Sequence, residues 1–197
     1  MRYEEFKNKS SLSKSELLSI TQGNFVDDPP EQGVARLPSP PFLMFDRVVN
    51  IERATRNGRI VAEQDIISDA WYFQCHFVGD PVQPGCLGVD ALWQLLGLYC
   101  SLMGAVGAGR ALGCKEVEFS GQIRPFDKQI TYELEVHRYS AMEGGAGLAI
   151  GSGRVLVDGK HIYSVRHLKA GVFPNIRYDD YPNPDSPFAR GGERSYT

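Results

Sequence analysis

The stretch "FQCHFVGDPVQPGCLGVDALWQL", Phe73 to Leu95, sets one histidine and two aspartates among apolar residues, and its reading decides the fold. From Trp71 to Gly109 there is no Lys, Arg or Glu, so Asp80 and Asp90 carry the only formal charges and His76 the only imidazole. Pro84-Gly85 reads as a helix start, and the residues after it are apolar nearly all round, with Leu87, Val89, Leu92, Trp93, Leu95 and Leu96. A helix without a solvent face must be enclosed. Ala91 to Gly109 lacks charge over 19 residues, which touches the lower limit for a membrane span. Gln94, Ser101 and four glycines interrupt it, so a buried core helix ending in a glycine-rich turn is the better reading.

The enclosure of the helix is legible on both sides of it. "FLMFDRVVNI" and "RIVAEQDI" flank Asn57-Gly58, a pair that favours the positive backbone angles of a tight hairpin, and read as the first two strands. After Gly109 the apolar period becomes two: Val117, Phe119 and Ile123, then Ile130, Tyr132, Leu134 and Val136, then Leu148 and Ile150, then Val155 and Val157. This period marks half-buried strands. Asp158-Gly159 marks a second hairpin, before "HIYSVRHLKAGVF". Strands, one buried helix and several more strands specify an α+β fold, a curved antiparallel sheet wrapped around a helix. Residues 1–40 are expected to hold a short helix, opened by the capping box Ser13/Glu16, and a proline-rich connector. Residues 41–173 form the single domain, and 174–197, rich in Pro, Asp, Tyr and Gly, a tail.

A chain of 197 residues with 42% hydrophobic content can bury one substantial core. A net charge of -3 argues against non-specific binding to nucleic acid or anionic lipid, which shows as a basic excess. Cys75, Cys86, Cys100 and Cys114 form no CxxC pair and read as the free thiols of a reducing cytoplasm, with no metal site. The N-terminal twenty residues mix acids and bases without an apolar run, so no secretory signal is read there.

Asp90 and Gln94 lie four apart on one face of the buried helix. An unpaired buried carboxylate costs several kcal/mol, so Asp90 needs a partner or a task. "HFVGDPVQPG" spaces glycine and proline as in a tightly specified loop and delivers His76 toward the helix N-terminus. There the amide of Gly85 sits at the positive end of the helix dipole, where an enolate oxygen formed from a thioester can be stabilised. An imidazole can remove a proton alpha to that thioester, and a carboxyl can protonate a departing hydroxyl. These parts describe a dehydration. A core histidine and a structural helix-start carboxylate are the alternatives for the same two residues.

The segments "WYFQCHFVGDPVQPGCLGVDALWQLLGLY", "GRALGCKEVEFSGQIRP", "LMFDRVV" and "VLVDGKHIY…LKAGVF" closely resemble the 3-hydroxydecanoyl-acyl-carrier-protein dehydratase/isomerase family of bacterial type II fatty acid synthesis, over about residues 10–173. The resemblance implies a hot-dog fold, a cytoplasmic homodimer with sites shared across its interface, and no metal or organic cofactor. It makes His76 the catalytic base and Asp90 the acid, with the backbone of Gly85 and Cys86 at the oxyanion. Val82, Gln83, Trp93 and Gln94 are expected to border the acyl tunnel. Asp90 stands where the related dehydratase without isomerase activity carries glutamate, which favours the bifunctional branch. The implied reaction is dehydration of a (3R)-3-hydroxyacyl chain of about ten carbons to the trans-2-enoyl thioester, with isomerisation to cis-3. Gln83 departs from the family's usual methionine, and "YSAMEGGAGLA" replaces a segment that usually carries consecutive arginines. Docking of the acyl carrier protein is then expected to rest on Arg124, Lys128, Arg138, Arg166 and Lys169. The rival readings are a hydratase or thioesterase acting on acyl-CoA, and a non-catalytic acyl-binding protein.

Overall fold

In the computed structural model, which describes residues 1–176, the apolar run forms α4, Gly85–Leu102. The helix stops where the chain can turn left-handed: Gly104 takes φ 97°, its N–H bonds Ser101 O, and the Ala105 N–H bonds Cys100 O. This is the glycine-ended closure that satisfies the last carbonyls of a helix. Leu92, Leu95, Leu96, Tyr99 and Cys100 are fully buried, so the one helix among the described residues long and apolar enough to cross a membrane is the core helix of this domain.

The enclosing sheet has seven antiparallel strands: β1 Arg47–Glu52, β2 Gly58–Asp65, β3 Ala108–Gly113, β4 Glu116–Phe119, β5 Gln129–Ala141, β6 Gly147–Val157 and β7 Lys160–Phe173. Their spatial order is β1-β2-β5-β6-β7-β3, and β4 also pairs with β7. The antiparallel sheet around one buried helix expected from the pattern, and the hot-dog fold that the resemblance implies, are the architecture observed. Asn57 (φ 56°) and Asp158 (φ 48°) make the two hairpin turns expected at Asn57-Gly58 and Asp158-Gly159.

Four details differ from the pattern. Phe42 to Asp46 is not strand, because its backbone is bonded to a helix side chain: Gln94 Oε1 accepts from the Met44 N–H and Gln94 Nε2 donates to Phe42 O. In β6 the residues turned to the core are Gly147, Ala149, Gly151 and Gly153, not Leu148 and Ile150. The helix lies too close for anything larger, and a Cβ on Gly153 would stand 2.5 Å from Leu92 Cδ1. The period of two makes Val117 and Phe119 half-buried, yet all four residues of β4 are exposed in the single chain. The reason is their place at the sheet's rim, beside the edge strand β3 and with no further strand outside them. Two short helices, α1 Tyr3–Lys7 and α3 Trp71–Cys75, carry too few residues to show a period.

The Ser13/Glu16 capping box opens α2, Lys14–Gln22, as its spacing predicts. Phe6, Leu12, Leu17 and Ile20 from these first residues are buried in the same core as α4. The expected tail, 174–197, lies outside the described residues from position 177 onward.

Candidate active site

His76 ends α3, and its position is fixed three times over. Its N–H bonds Tyr72 O at 2.9 Å, its C=O accepts the Val82 N–H at 2.8 Å, and its Nδ1 stands 2.9 Å from Val82 O. A carbonyl can only accept, so Nδ1 carries a proton, and in the neutral imidazole the free lone pair is then on Nε2. That is the tautomer of a general base. Between these anchors the loop closes on itself through reciprocal Phe77–Asp80 backbone bonds, and the Phe77 ring lies 3.8 Å, centroid to centroid, from the imidazole.

The imidazole faces a cavity of about 1260 Å³ that also presents Val82, Gln83, Gly85, Cys86 and Trp93. Gly85 and Cys86 are the first two residues of α4, and first-turn amides have no intrahelical carbonyl to bond. Their N–H groups therefore stand at the positive end of an 18-residue helix, at the cavity that His76 lines. Phe119 and Tyr163, in edge-to-face contact at 4.8 Å, also line the cavity and pack against Gly85 and Gly88 of α4.

Asp90 is half-buried and accepts a 2.6 Å hydrogen bond from Gln94 Nε2. The expected i, i+4 pairing on one helix face is thus made. The alternative of a carboxylate bonded to helix-start amides is not what is seen. Asp90 opens into a different, smaller cavity of about 210 Å³, with Gln94, Arg36, Phe42 and Arg110. Trp93 borders both cavities. Within one chain His76 and Asp90 therefore do not share a pocket.

The sheet's edge near these cavities is open. Gly109 to Leu112 on β3 are exposed, as are Val117 and Phe119 on β4, and the edge carries bare N–H and C=O groups. Trp71, Phe77 and Val78 add further exposed apolar surface around His76. Such an edge is a template for another strand.

The five cations expected to dock a carrier are not brought together. Arg124 lies at the His76 cavity and is ion-paired with Asp80. Lys128 precedes β5. Arg166 is paired with Glu116 across β4 and β7. Arg138 and Lys169 stand level on either side of Ile150 on the outer face, at the opposite end of β5 from Lys128. Lys160, which sequence reasoning does not single out, also borders the His76 cavity. Only the β7 pairing puts it there, and no local pattern signals it.

The family model described as "FabA-like domain" matches residues 37–166. The chain belongs to that family. FabA-like hot-dog dehydratases act on acyl thioesters and form dimers, and thioesterases of the same fold act on the same linkage. Among solved structures, the dehydratase heterocomplex ApeI:P from Xenorhabdus doucetiae is 12% identical, at TM-score 0.49 over 70% of this chain and 86% of that one. AziG of S. sahachiroi is 13% identical, at TM-score 0.45 over 64% and 90%. A hypothetical thioesterase with coenzyme A from Streptococcus pneumoniae TIGR4 is 16% identical, at TM-score 0.42 over 64% and 85%. None of the three bears on the residues of this FabA-like site.

Proposed function

We propose that the protein dehydrates (3R)-3-hydroxyacyl thioesters of about ten carbons, carried on acyl carrier protein, and isomerises the trans-2-enoyl product to cis-3. The observation that carries this reading is the Nδ1–Val82 bond, which leaves His76 Nε2 as a base beside the free amides of Gly85 and Cys86. Nε2 takes the C2 proton, and the electron pair moves onto the thioester oxygen, where the helix-start amides hold the enolate. Collapse of the enolate forms the C2–C3 double bond and expels the C3 hydroxyl, which leaves as water with the proton of Asp90. Isomerisation reuses the same base: a proton leaves C4 and one returns at C2, through the dienolate held by the same amides.

Asp90 reaches this substrate from a second subunit. Pairing of the β3 edges of two copies covers the exposed β3 and β4 residues and brings the Asp90 cavity of one chain against the His76 cavity of the other. Each dimer then has two sites, each built from both chains. Four free cysteines and the carrier-linked substrate class fit a cytoplasmic protein. No cofactor enters any step of the scheme. The test is direct: purified protein is incubated with 3-hydroxydecanoyl-carrier protein and the enoyl products are resolved. Formation of trans-2 and cis-3 decenoyl thioesters is expected. Trans-2 alone would remove the isomerase, and hydrolysis to the free acid would replace the reading with a thioesterase.

A further inference from the structure

Gln83 presents a physical anomaly. It is 1% exposed, yet neither its amide nitrogen nor its amide oxygen has a hydrogen-bond partner of acceptable geometry. Native proteins seldom leave buried amide groups unpaired, because the lost hydration is not recovered. Two phenol hydroxyls stand beside it, those of Tyr72, a residue 3% exposed, and the fully buried Tyr132. Burial pushes the Tyr72 phenol up to about 12 and Tyr132 well above its usual value, and in both the neighbouring Gln83 amide pulls the other way. The amide is therefore within their reach while aligned with neither. A terminal amide turns on a broad torsion, so it needs only a small rotation to meet both.

Gln83 Nε2 carries two N–H donors, and donation to a phenol oxygen favours its ionised form, which is the direction of the Gln83 effect at both rings. The Tyr132 hydroxyl already donates to Gln64 Oε1 at 3.0 Å, so its oxygen can only accept. It therefore accepts a hydrogen bond from one Gln83 Nε2 hydrogen, and the second Nε2 hydrogen is left for the Tyr72 oxygen. Tyr72 and Gln83 are also the two ends of the loop that carries His76. Tyr72 O holds the His76 N–H, and Gln83 follows Val82, whose backbone bonds His76 twice. The Gln83 N–H is itself tied to Ile123 O at 3.0 Å.

We propose that Tyr72, Gln83, Tyr132 and Gln64 form a buried hydrogen-bonded chain that clamps the two ends of the His76 loop to the sheet. In this chain Gln83 is a positioning residue: it acts on the base through the Val82 carbonyl rather than on the acyl chain. The assignment rests on the reading of His76 as the base. It also gives the polar residue at this position a role besides bordering the tunnel.

The test is a double-mutant cycle of Tyr72→Phe, Gln83→Met and the two together, with urea unfolding and dehydration kinetics measured on each. Removing one partner strands the other in the core, whereas replacing both leaves an apolar contact. Each single variant should unfold at lower urea and lose roughly tenfold in kcat with KM within about twofold, since a displaced base slows chemistry more than binding. The double variant should regain most of both losses. If Gln83→Met does not fold, Tyr72→Phe alone must still show the loss of kcat at unchanged KM. Losses that add in the double variant, or folded single variants with unchanged kcat, would overturn the proposal. The unfolding cycle needs no substrate, so its failure is distinct from full turnover by His76→Ala, which would remove the dehydratase reading itself.

Discussion

Gln94 Nε2 donates to Asp90 Oδ2 at 2.6 Å and to Phe42 O at 2.9 Å, while Gln94 Oε1 accepts the Met44 N–H. One amide thus aims the candidate acid and pins the connector that lies over it. Gln94→Leu keeps the volume and removes all three bonds, leaving the Met44 N–H buried and unpaired. The expected cost is about 1–3 kcal/mol of stability, with a fall in kcat of about tenfold as Asp90 loses its orientation. Urea unfolding and steady-state kinetics check both. A loss of stability with unchanged kcat would make Gln94 a tether of the connector only.

His76→Ala and Asp90→Asn should each lose dehydration by at least about a hundredfold while remaining folded. The amide that Asp90→Asn introduces can still accept from Gln94 but has no proton to give a leaving hydroxyl. Circular dichroism with turnover assays decides the matter. Full activity of folded His76→Ala would make that residue an ordinary half-buried structural histidine, and unfolding of Asp90→Asn would make its carboxylate structural.

Arg138 and Lys169 flank Ile150 on the outer face, and neither is in an ion pair among the described residues. Reversing both to glutamate should raise KM for a carrier-linked substrate several-fold and spare a small thioester mimic, with the difference shrinking in added salt. Arg166→Glu, already paired with Glu116, should do less. Equal effects on both substrates would show that the pair acts on the fold instead of on the carrier.

Alkaline stability is set by the tyrosines. Burial raises Tyr72, Tyr139 and Tyr163 to about 12, from an ordinary value of 10.0. A group whose folded value is raised stabilises the fold fully below its unfolded value and loses that contribution as pH rises toward the folded one. The protein should therefore weaken between pH 10 and about 12, with tyrosinate absorbance appearing together with loss of circular dichroism. The chain has nine tyrosines, so tyrosinate absorbance near pH 10 that accounts for more than six of them in a folded protein would contradict the burial of these three rings.

Periodicity and turn chemistry are what the sequence shows most clearly. An uncharged run specifies α4, and Asn57-Gly58 and Asp158-Gly159 specify two hairpins. The Asp90–Gln94 pair is legible because helical spacing alone sets it. The hidden features depend on neighbours distant in the chain. Gly153 faces the core because Leu92 leaves no room there, although the apolar pattern of β6 points to Leu148 and Ile150. Phe42 to Met44 has strand composition, but its backbone bonds go to Gln94. The expected docking cations are spread over both ends of the sheet, because β5 carries Arg138 some ten residues away from Lys128. Nothing in the sequence shows that the hydroxyls of Tyr72 and Tyr132 converge on Gln83.

The central claim is that one site is built from two chains, since in a single chain His76 and Asp90 open into separate cavities. His76→Ala and Asp90→Asn subunits, each inactive alone, are unfolded together in equal amounts and refolded, and mixed dimers are verified by mass. Random pairing makes half the dimers mixed, each with one intact site and one doubly altered site, so about a quarter of wild-type activity should return. No recovery in a preparation with mixed dimers present would contradict the shared site and the roles assigned to His76 and Asp90 across the interface.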